Sequence, residues 1–315
     1  MLLTLARGAV KYVTTLFAAS ILIFFALRIV PGNPAEVALG VTATPEAVAQ
    51  LSSSMGLDRP IVEQYFSWVG DMLRGDFGSS LLSSTDISTE VVDKLMVSLI
   101  LVGLGMTTAL CLAVPLGLWA ARRADKADGV IIAALGQIGI AIPSFLAAIL
   151  LITVFSVHLG WFPANGWVVP SSDFSGFASR LILPVFSLGI VQAAIMSRYV
   201  RSAALEVMNA DFMRTARAQG LSMGQALRRH GVRNAALPVL TVTGVQLATL
   251  LVGAVVIEKV FVIPGLGSML LSAVSNRDLP TVQTIVMLLV VIAVVINAIV
   301  DLLYVIIDPR IRREA

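Results

Sequence analysis

The residues able to do chemistry in this chain are few, and they are concentrated in one place. Residues 211–238 read DFMRTARAQGLSMGQALRRHGVRNAALP, and seven arginines fall between Arg198 and Arg233 in a chain that is only 13% charged. Arginine offers a planar fork of donors to carboxylates or backbone carbonyls, so the chemistry of this stretch is recognition. Catalytic constellations do not assemble. The Ser175-Gly176 pair follows Asp173-Phe174 and makes no G-x-S-G, and Arg74-Gly75-Asp76 makes no G-x-G-D. The two histidines, His158 and His230, stand in no H-E-x-x-H zinc spacing. A G-x-x-x-x-G-K-[ST] loop, which would cradle the phosphates of ATP, is also missing. The lone Cys111 cannot close an intrachain disulfide. These absences speak against an enzyme, a metal site and a cofactor bound by this chain.

The elements that position the basic stretch are membrane spans. A mean hydropathy of +0.92 with 57% hydrophobic residues places the chain among polytopic membrane proteins. Six runs have the roughly 20 apolar residues that a bilayer-spanning helix requires: 12–30, 95–121, 130–157, 181–196, 235–257 and 282–307. The first lacks a small-residue cleavage pattern and is followed by Pro31, so it reads as a retained helix. Fifteen of the 22 lysines and arginines then lie on the side of the N-terminus, among them Arg7, Lys11, Arg122, Arg123, Lys126 and all seven of the basic stretch. Six lie opposite. Basic residues accumulate in cytoplasmic loops, so both termini and the basic stretch are expected in the cytoplasm. His158 then belongs to an outer interfacial belt with Trp161 and Phe162, and His230 to a cytosolic surface.

Residues 31–93 form an outer segment with two helix signals. Thr44-Pro45-Glu46 opens one helix that Gly56 stops, and Asp58-Arg59-Pro60 opens another whose Ile61, Tyr65, Trp68 and Met72 share a face. These helices either cover the outer ends of the bundle or dock a partner. On the cytoplasmic side, Asn209 or Asp211 caps a short helix through Gln219, which Gly220 ends in the left-handed conformation. Ser222-Met223-Gly224-Gln225 has the S-x-x-Q spacing of a capping box and starts the stem that continues past Pro238 into the fifth span. The short helix is expected to expose Thr215, Ala216 and Ala218 beside Phe212, Arg214 and Arg217. Two uses remain open for it: a basic loop resting on anionic headgroups, or a knob received by a cytosolic partner.

Energy for transport would come from a partner or from an ion gradient. Gradient-driven carriers place carboxylates inside their spans, whereas Glu258, Asp301 and Asp308 all lie toward span ends. The mid-span polar residues Gln137, Gln192, Gln246 and Asn297, with Thr241, Thr243 and Thr249, either tie helices together by hydrogen bonds or line a path without fixed charge. Gly136, Gly139, Gly244 and Gly253 permit close helix approach. Pro115, Pro143 and Pro184 are expected to bend their spans.

At this point a family resemblance is carried by specific residues. Thr215-Ala216-Arg217-Ala218-Gln219-Gly220-Leu221, followed by Arg229-His230-Gly231-Val232-Arg233-Asn234-Ala235 and Leu237-Pro238, resembles the cytoplasmic EAA loop of ABC importer permeases. The version is that of the B-type permease subunit of the dipeptide/oligopeptide (peptide/nickel) transport family. Pro31-Gly32-Asn33-Pro34, Gly56-Leu57-Asp58-Arg59-Pro60, Arg74-Gly75-Asp76-Phe77-Gly78 and Pro115-Leu116-Gly117 carry it through the first half of the chain. Leu159-Gly160-Trp161-Phe162-Pro163, Pro264-Gly265-Leu266-Gly267, Asn276-Arg277-Asp278 and Asp308-Pro309-Arg310 carry it to the end. Arg214-Thr215-Ala216 stands where the general loop has Glu-Ala-Ala, and Asn33 where the usual motif has Asp.

The resemblance implies an all-α type I ABC importer permease fold with six transmembrane helices and a small helical external insertion. Its parts would be a first helix and outer loop (1–94), a transmembrane core (95–307) with a coupling loop (198–234), and a cytoplasmic tail (308–315). It implies that Asp211, Phe212, Arg214, Thr215, Ala216, Arg217, Ala218, Gly220 and Leu221 couple to a cytosolic ATPase, and that Pro264, Gly265 and Gly267 stand at an external gate. The implied partners are a second homologous permease as heterodimer, two ATPase domains that hold ATP and Mg, an extracytoplasmic solute-binding protein and membrane lipid. Nucleic acid is not among them. The implied cargo is a dipeptide or oligopeptide, with a nickel complex or glutathione as alternatives in the same machinery, and a channel outside the ABC class as the remaining alternative. The implied location is the bacterial plasma membrane.

Overall fold

The computed structural model describes residues 2–29, 34–40, 43–54, 56–81, 83 and 85–307. The Pro31-Gly32-Asn33 stretch and the 308–315 tail, with its Asp308-Pro309-Arg310, lie outside the described residues. Among those described, the chain forms helices joined by short turns and no strand. The helices are α1 (Leu2–Arg28), α2 (Pro34–Leu39), α3 (Pro45–Ser54), α4 (Ile61–Leu73), α5 (Ser88–Arg122), α6 (Ala127–Ala141), α7 (Ser144–Leu151) and α8 (Phe174–Asn209). After them come α9 (Asp211–Ala218), α10 (Met223–Ala226), α11 (Val232–Val260), α12 (Leu266–Ser275) and α13 (Leu279–Ile307). Wider π-helical turns extend α7 over Ile152–His158 and join α10 to α11 over Leu227–Gly231.

Five of the described helices are long and apolar enough to cross a membrane, and a sixth crossing is available if α6 and the α7 segment count as one broken span. That third span is where structure and expectation differ. In place of a kinked helix over 130–157, the chain turns by 101° between α6 and α7. The break falls at Ile142, whose φ −88° and ψ 116° are extended, and at Pro143, which precedes the first residue of α7. Proline pushes the residue before it out of the helical region, and here the helix ends outright. Pro115, Pro184 and also Pro238 lie inside continuous helices.

The chain divides into two compact units. One comprises, among the described residues, Ser98–Ile263 and 296–307. Its axis is α8, whose small and apolar residues are buried along most of its length. Glycines make the approaches close. A Cβ on Gly139 would stand 2.7 Å from the Ala194 Cβ, one on Gly117 2.7 Å from the Ser197 carbonyl oxygen, and one on Gly244 2.9 Å from Val300 Cγ2. Gly253, by contrast, has only ordinary contact with Leu188. Ser98 Oγ donates a 2.6 Å hydrogen bond to Glu258 Oε1, and both side chains are buried.

The other unit comprises Leu2–Val97 and Pro264–Val295. Ile87, Val91, Leu266, Ile285 and Leu288 form its core, with Met72, Phe77 and Met269 packed on it. The expected α3 cap is present, since Thr44 Oγ1 accepts from the Ala47 amide. The α4 helix lies along α1: Tyr65 Oη and Ser20 Oγ are hydrogen-bonded at 2.7 Å, and the Phe24 ring meets Tyr65 edge to face and packs tilted against Trp68. Ile61, expected on that face, is exposed because it occupies the first turn, where Gln64 instead accepts from Arg28.

Candidate functional site

The basic stretch is a helix, a turn and a stem, and each part has a physical cause. After α8 ends at Asn209, Ala210 turns extended (φ −69°, ψ 149°) and α9 begins at Asp211. Ala210 therefore occupies the capping position expected for Asn209 or Asp211, and no side chain caps the helix. Asn209 is still the last residue of α8, while Asp211 sits in the first turn of α9, where its charge favours the positive end of the helix dipole. The other end is closed by backbone alone. Gly220 adopts φ +91°, its amide donates to the Arg217 carbonyl at 3.0 Å, and the Leu221 amide donates to the Ala216 carbonyl at 3.3 Å. This is the Schellman pairing that a left-handed glycine permits. The capping box follows as read from the sequence: Ser222 Oγ accepts from the Gln225 amide at 3.4 Å, and Gln225 Oε1 accepts from the Ser222 amide at 2.9 Å.

An eight-residue helix has too little internal cohesion to persist alone, and α9 is held by its inner face. Met213 is fully buried and Ala216 is 5% exposed, packed with Val207 of α8 and with Ala226 and Leu227 of the returning stem. Leu221 packs against the same cluster. Ala216 was expected outside, and the structure corrects this: residues 213 and 216 are one turn apart and form the anchoring face. Met213, absent from the expected set, is the anchor itself, and its i, i+3 spacing with Ala216 was the available signal. Asp211, Phe212, Arg214, Thr215, Arg217, Ala218 and Gly220 are exposed, Phe212 at 41%. Arg214 reaches Asp211 at 3.4 Å with both side chains largely in solvent, a pairing worth well under ~1 kcal/mol. Such a face, one large aromatic ring among guanidinium groups on a backed helix, can enter a groove bearing carboxylates or carbonyls.

The external turn is built differently. Val262 holds φ +53° without being glycine, and the Ile263 amide donates to the Glu258 carbonyl at 2.8 Å. Pro264 is exposed, Gly265 starts α12 with an extended backbone, and Gly265 and Gly267 are buried. The helix that follows is Leu266–Ser275. At its far end Arg277 is also left-handed (φ +56°), and buried Asp278 accepts from Ser80 Oγ, the Leu81 amide and Thr281 Oγ1.

The four polar residues proposed for a path do not converge. Asn297 and Thr249 share an open, otherwise apolar groove with Val245, Val252 and Val256. Gln137 lines a separate small pocket with Arg198 and Arg201. Gln246 is half-buried on α11. Gln192 is buried, and its Nε2 has no hydrogen-bond partner among the described residues, so that nitrogen neither faces an open path nor ties two helices.

Comparison with known proteins bears on the whole chain. The family model described as binding-protein-dependent transport system inner membrane component matches residues 113–313, and the model for the N-terminal part of such membrane components matches residues 1–102. A protein of Brucella abortus (strain 2308) named "Putative peptide transport system permease protein" is 37% identical over 308 residues, covering 98% of each chain. The glutathione transport system permease protein GsiC of Escherichia coli (strain K12) is 36% identical over 303 residues, covering 95% of each. Among solved structures, a chain of "Crystal structure of an amino acid ABC transporter with histidines" superposes with a TM-score of 0.52 at 16% identity, covering 69% of this chain and 93% of that one. This last likeness is one of fold, the all-helical type I importer permease. The apolar helices and the two family matches together make this a multi-pass inner-membrane protein, and the chain belongs to the family of binding-protein-dependent transport system inner membrane components.

Proposed function

We propose that this chain is one of two permease subunits of an ATP-driven importer of small peptides, and that α9 is where force from cytosolic ATPase subunits enters it. The carrying observation is the division of α9 into two faces. Met213 and Ala216 fasten it to α8 and the stem, while Phe212, Arg214 and Arg217 stand outside the chain's own core. A helix fastened in this way transmits displacement to the spans on either side of it. ATP and Mg belong to the ATPase partners, since the sequence has no phosphate-cradling loop, and the permease itself performs no catalysis. The second permease is a distinct, similar chain, a solute-binding protein delivers cargo from outside near Pro264, Gly265 and Gly267, and both termini lie in the cytoplasm. The groove holding Asn297 and Thr249 has no charged lining, which suits cargo of varied side chain. The relatives' names favour peptides, glutathione being itself a small peptide.

The test is reconstitution of the full complex in vesicles, with a Phe212→Cys variant for crosslinking and a panel of dipeptides, oligopeptides, glutathione and a nickel complex for uptake. Crosslinks from position 212 to an ATPase chain, with ATP-dependent uptake of peptides, are expected. Absence of an ATPase crosslink would overturn the role of α9. An intact crosslink with uptake of the nickel complex alone would overturn the peptide assignment.

A further inference from the structure

The helices α5, α6 and α8 line a pocket of about 50 Å³. Gly117 and Gly136 let α5 and α6 come close to Ser197 of α8, and Gln137, Arg198 and Arg201 supply the polar lining. The Nε of Arg201 is closed off from solvent and has no hydrogen-bond partner among the described residues. Among the described residues, no carboxylate lies within ion-pair distance of Arg198 or Arg201. Asp128, the acidic residue of α6, is already engaged, its Oδ2 accepting from Trp119 Nε1 and Arg123 Nη1 at 3.0 Å each. Two guanidinium side chains thus line one pocket with no carboxylate beside them, so the pocket's electrostatics call for an anion. Its size suits a single tetrahedral group and excludes a nucleotide.

We propose that this pocket binds the phosphate of an anionic phospholipid headgroup, and that the bound lipid braces the three helices beneath the coupling segment. The apolar run of α8 ends at Met196, so Arg198 and Arg201 stand at headgroup depth, with Tyr199 partly exposed between them as an interfacial aromatic. Leu116 and Ile132 give the pocket apolar walls against which acyl chains can lie. Basic pockets between spans are the usual form of headgroup recognition on the cytoplasmic side. The choice of inner leaflet rests on the orientation proposed above, whereas the binding chemistry does not.

Native mass spectrometry of the delipidated, assembled transporter, offered phosphatidylglycerol, phosphatidylcholine or inorganic phosphate, tests this independently of any transported solute. Wild type is expected to retain phosphatidylglycerol in preference to phosphatidylcholine. Arg198→Gln and Arg201→Gln are each expected to weaken that retention about 10-fold, the scale of one lost hydrogen bond to a charged group. Arg201→Lys should keep most of it, and Arg59→Gln, far along the chain in the outer segment, should change nothing. If Arg201→Gln does not assemble, Arg198→Gln at its exposed position decides the matter. Equal retention of the two lipids, or retention indifferent to both glutamine variants, overturns the proposal. Binding of inorganic phosphate with no lipid preference reassigns the pocket to a soluble anion and overturns the lipid.

Discussion

The Leu221 amide donates to the Ala216 carbonyl across a glycine at φ +91°, and this 3.3 Å bond closes the end of α9. Nothing lies within 4 Å of where a Cβ on Gly220 would point. Conformation, not space, is therefore what demands glycine. Gly220→Ala is expected to cost about 1–2 kcal/mol locally, the penalty of a left-handed L-residue, and to leave reduced uptake. Gly220→Pro, which fixes φ near −65° and removes the amide that bonds Arg217, is expected to abolish uptake while membrane insertion stays at the wild-type level. Vesicle uptake set beside the amount of inserted protein checks both.

Faces of the same helix should separate experimentally. Phe212→Ala removes an exposed ring and is expected to lower uptake without shifting thermal stability in detergent. Met213→Ala empties a buried position and is expected to destabilise the loop by about 2–4 kcal/mol, as large-to-small core changes do, seen as faster protease cleavage within 209–231. Ala216→Glu belongs with Met213→Ala, because its carboxylate would have to enter the cluster with Val207 and Leu227. Uptake by Ala216→Glu equal to wild type would contradict the packing of α9.

How much of this was legible depends on the range of the forces involved. Gly220 and the Ser222/Gln225 box act within five residues, so their spacing alone announces the turn. The i, i+3 spacing of Met213 and Ala216 marks a shared face of α9, but that this face turns inward was not legible, because it depends on Val207 of α8 and Leu227 of the stem, which no local pattern brings together. Nor was the break at Ile142: Pro115, Pro184 and Pro238 are prolines in equally apolar runs, and they stay inside helices. The arginines 198 and 201 announced charge, but the pocket that they line depends on three helices meeting.

Asp278 gathers three donors from two distant parts of the chain, Ser80 and Leu81 on one side and Thr281 on the other. Asp278→Ala leaves those buried or half-buried donors without their acceptor, at about 1–3 kcal/mol for each fully buried group. The expected result is faster hydrogen exchange at the Leu81 amide and loosening of the outer segment around 77–81, with α9 unaffected. Unchanged exchange at Leu81 would mean that the carboxylate is not what holds the segment.

Gly139 offers the sharpest packing test, because its neighbour is a single methyl group. A Cβ at 139 would sit 2.7 Å from the Ala194 Cβ, closer than two carbons approach without repulsion, and Ala194 lies on the backbone of α8 rather than at the tip of a flexible side chain. Gly139→Ala must therefore push α6 from α8, at about 1–3 kcal/mol, as overpacking does. Ala194→Gly alone should cost less, chiefly through the added backbone freedom of glycine. The two together exchange the methyl from one helix to the other and restore the contact, so the double variant should be more stable than Gly139→Ala alone. Thermal unfolding of the four proteins in one detergent gives the coupling directly, and strictly additive losses would show that the two helices do not meet at these residues.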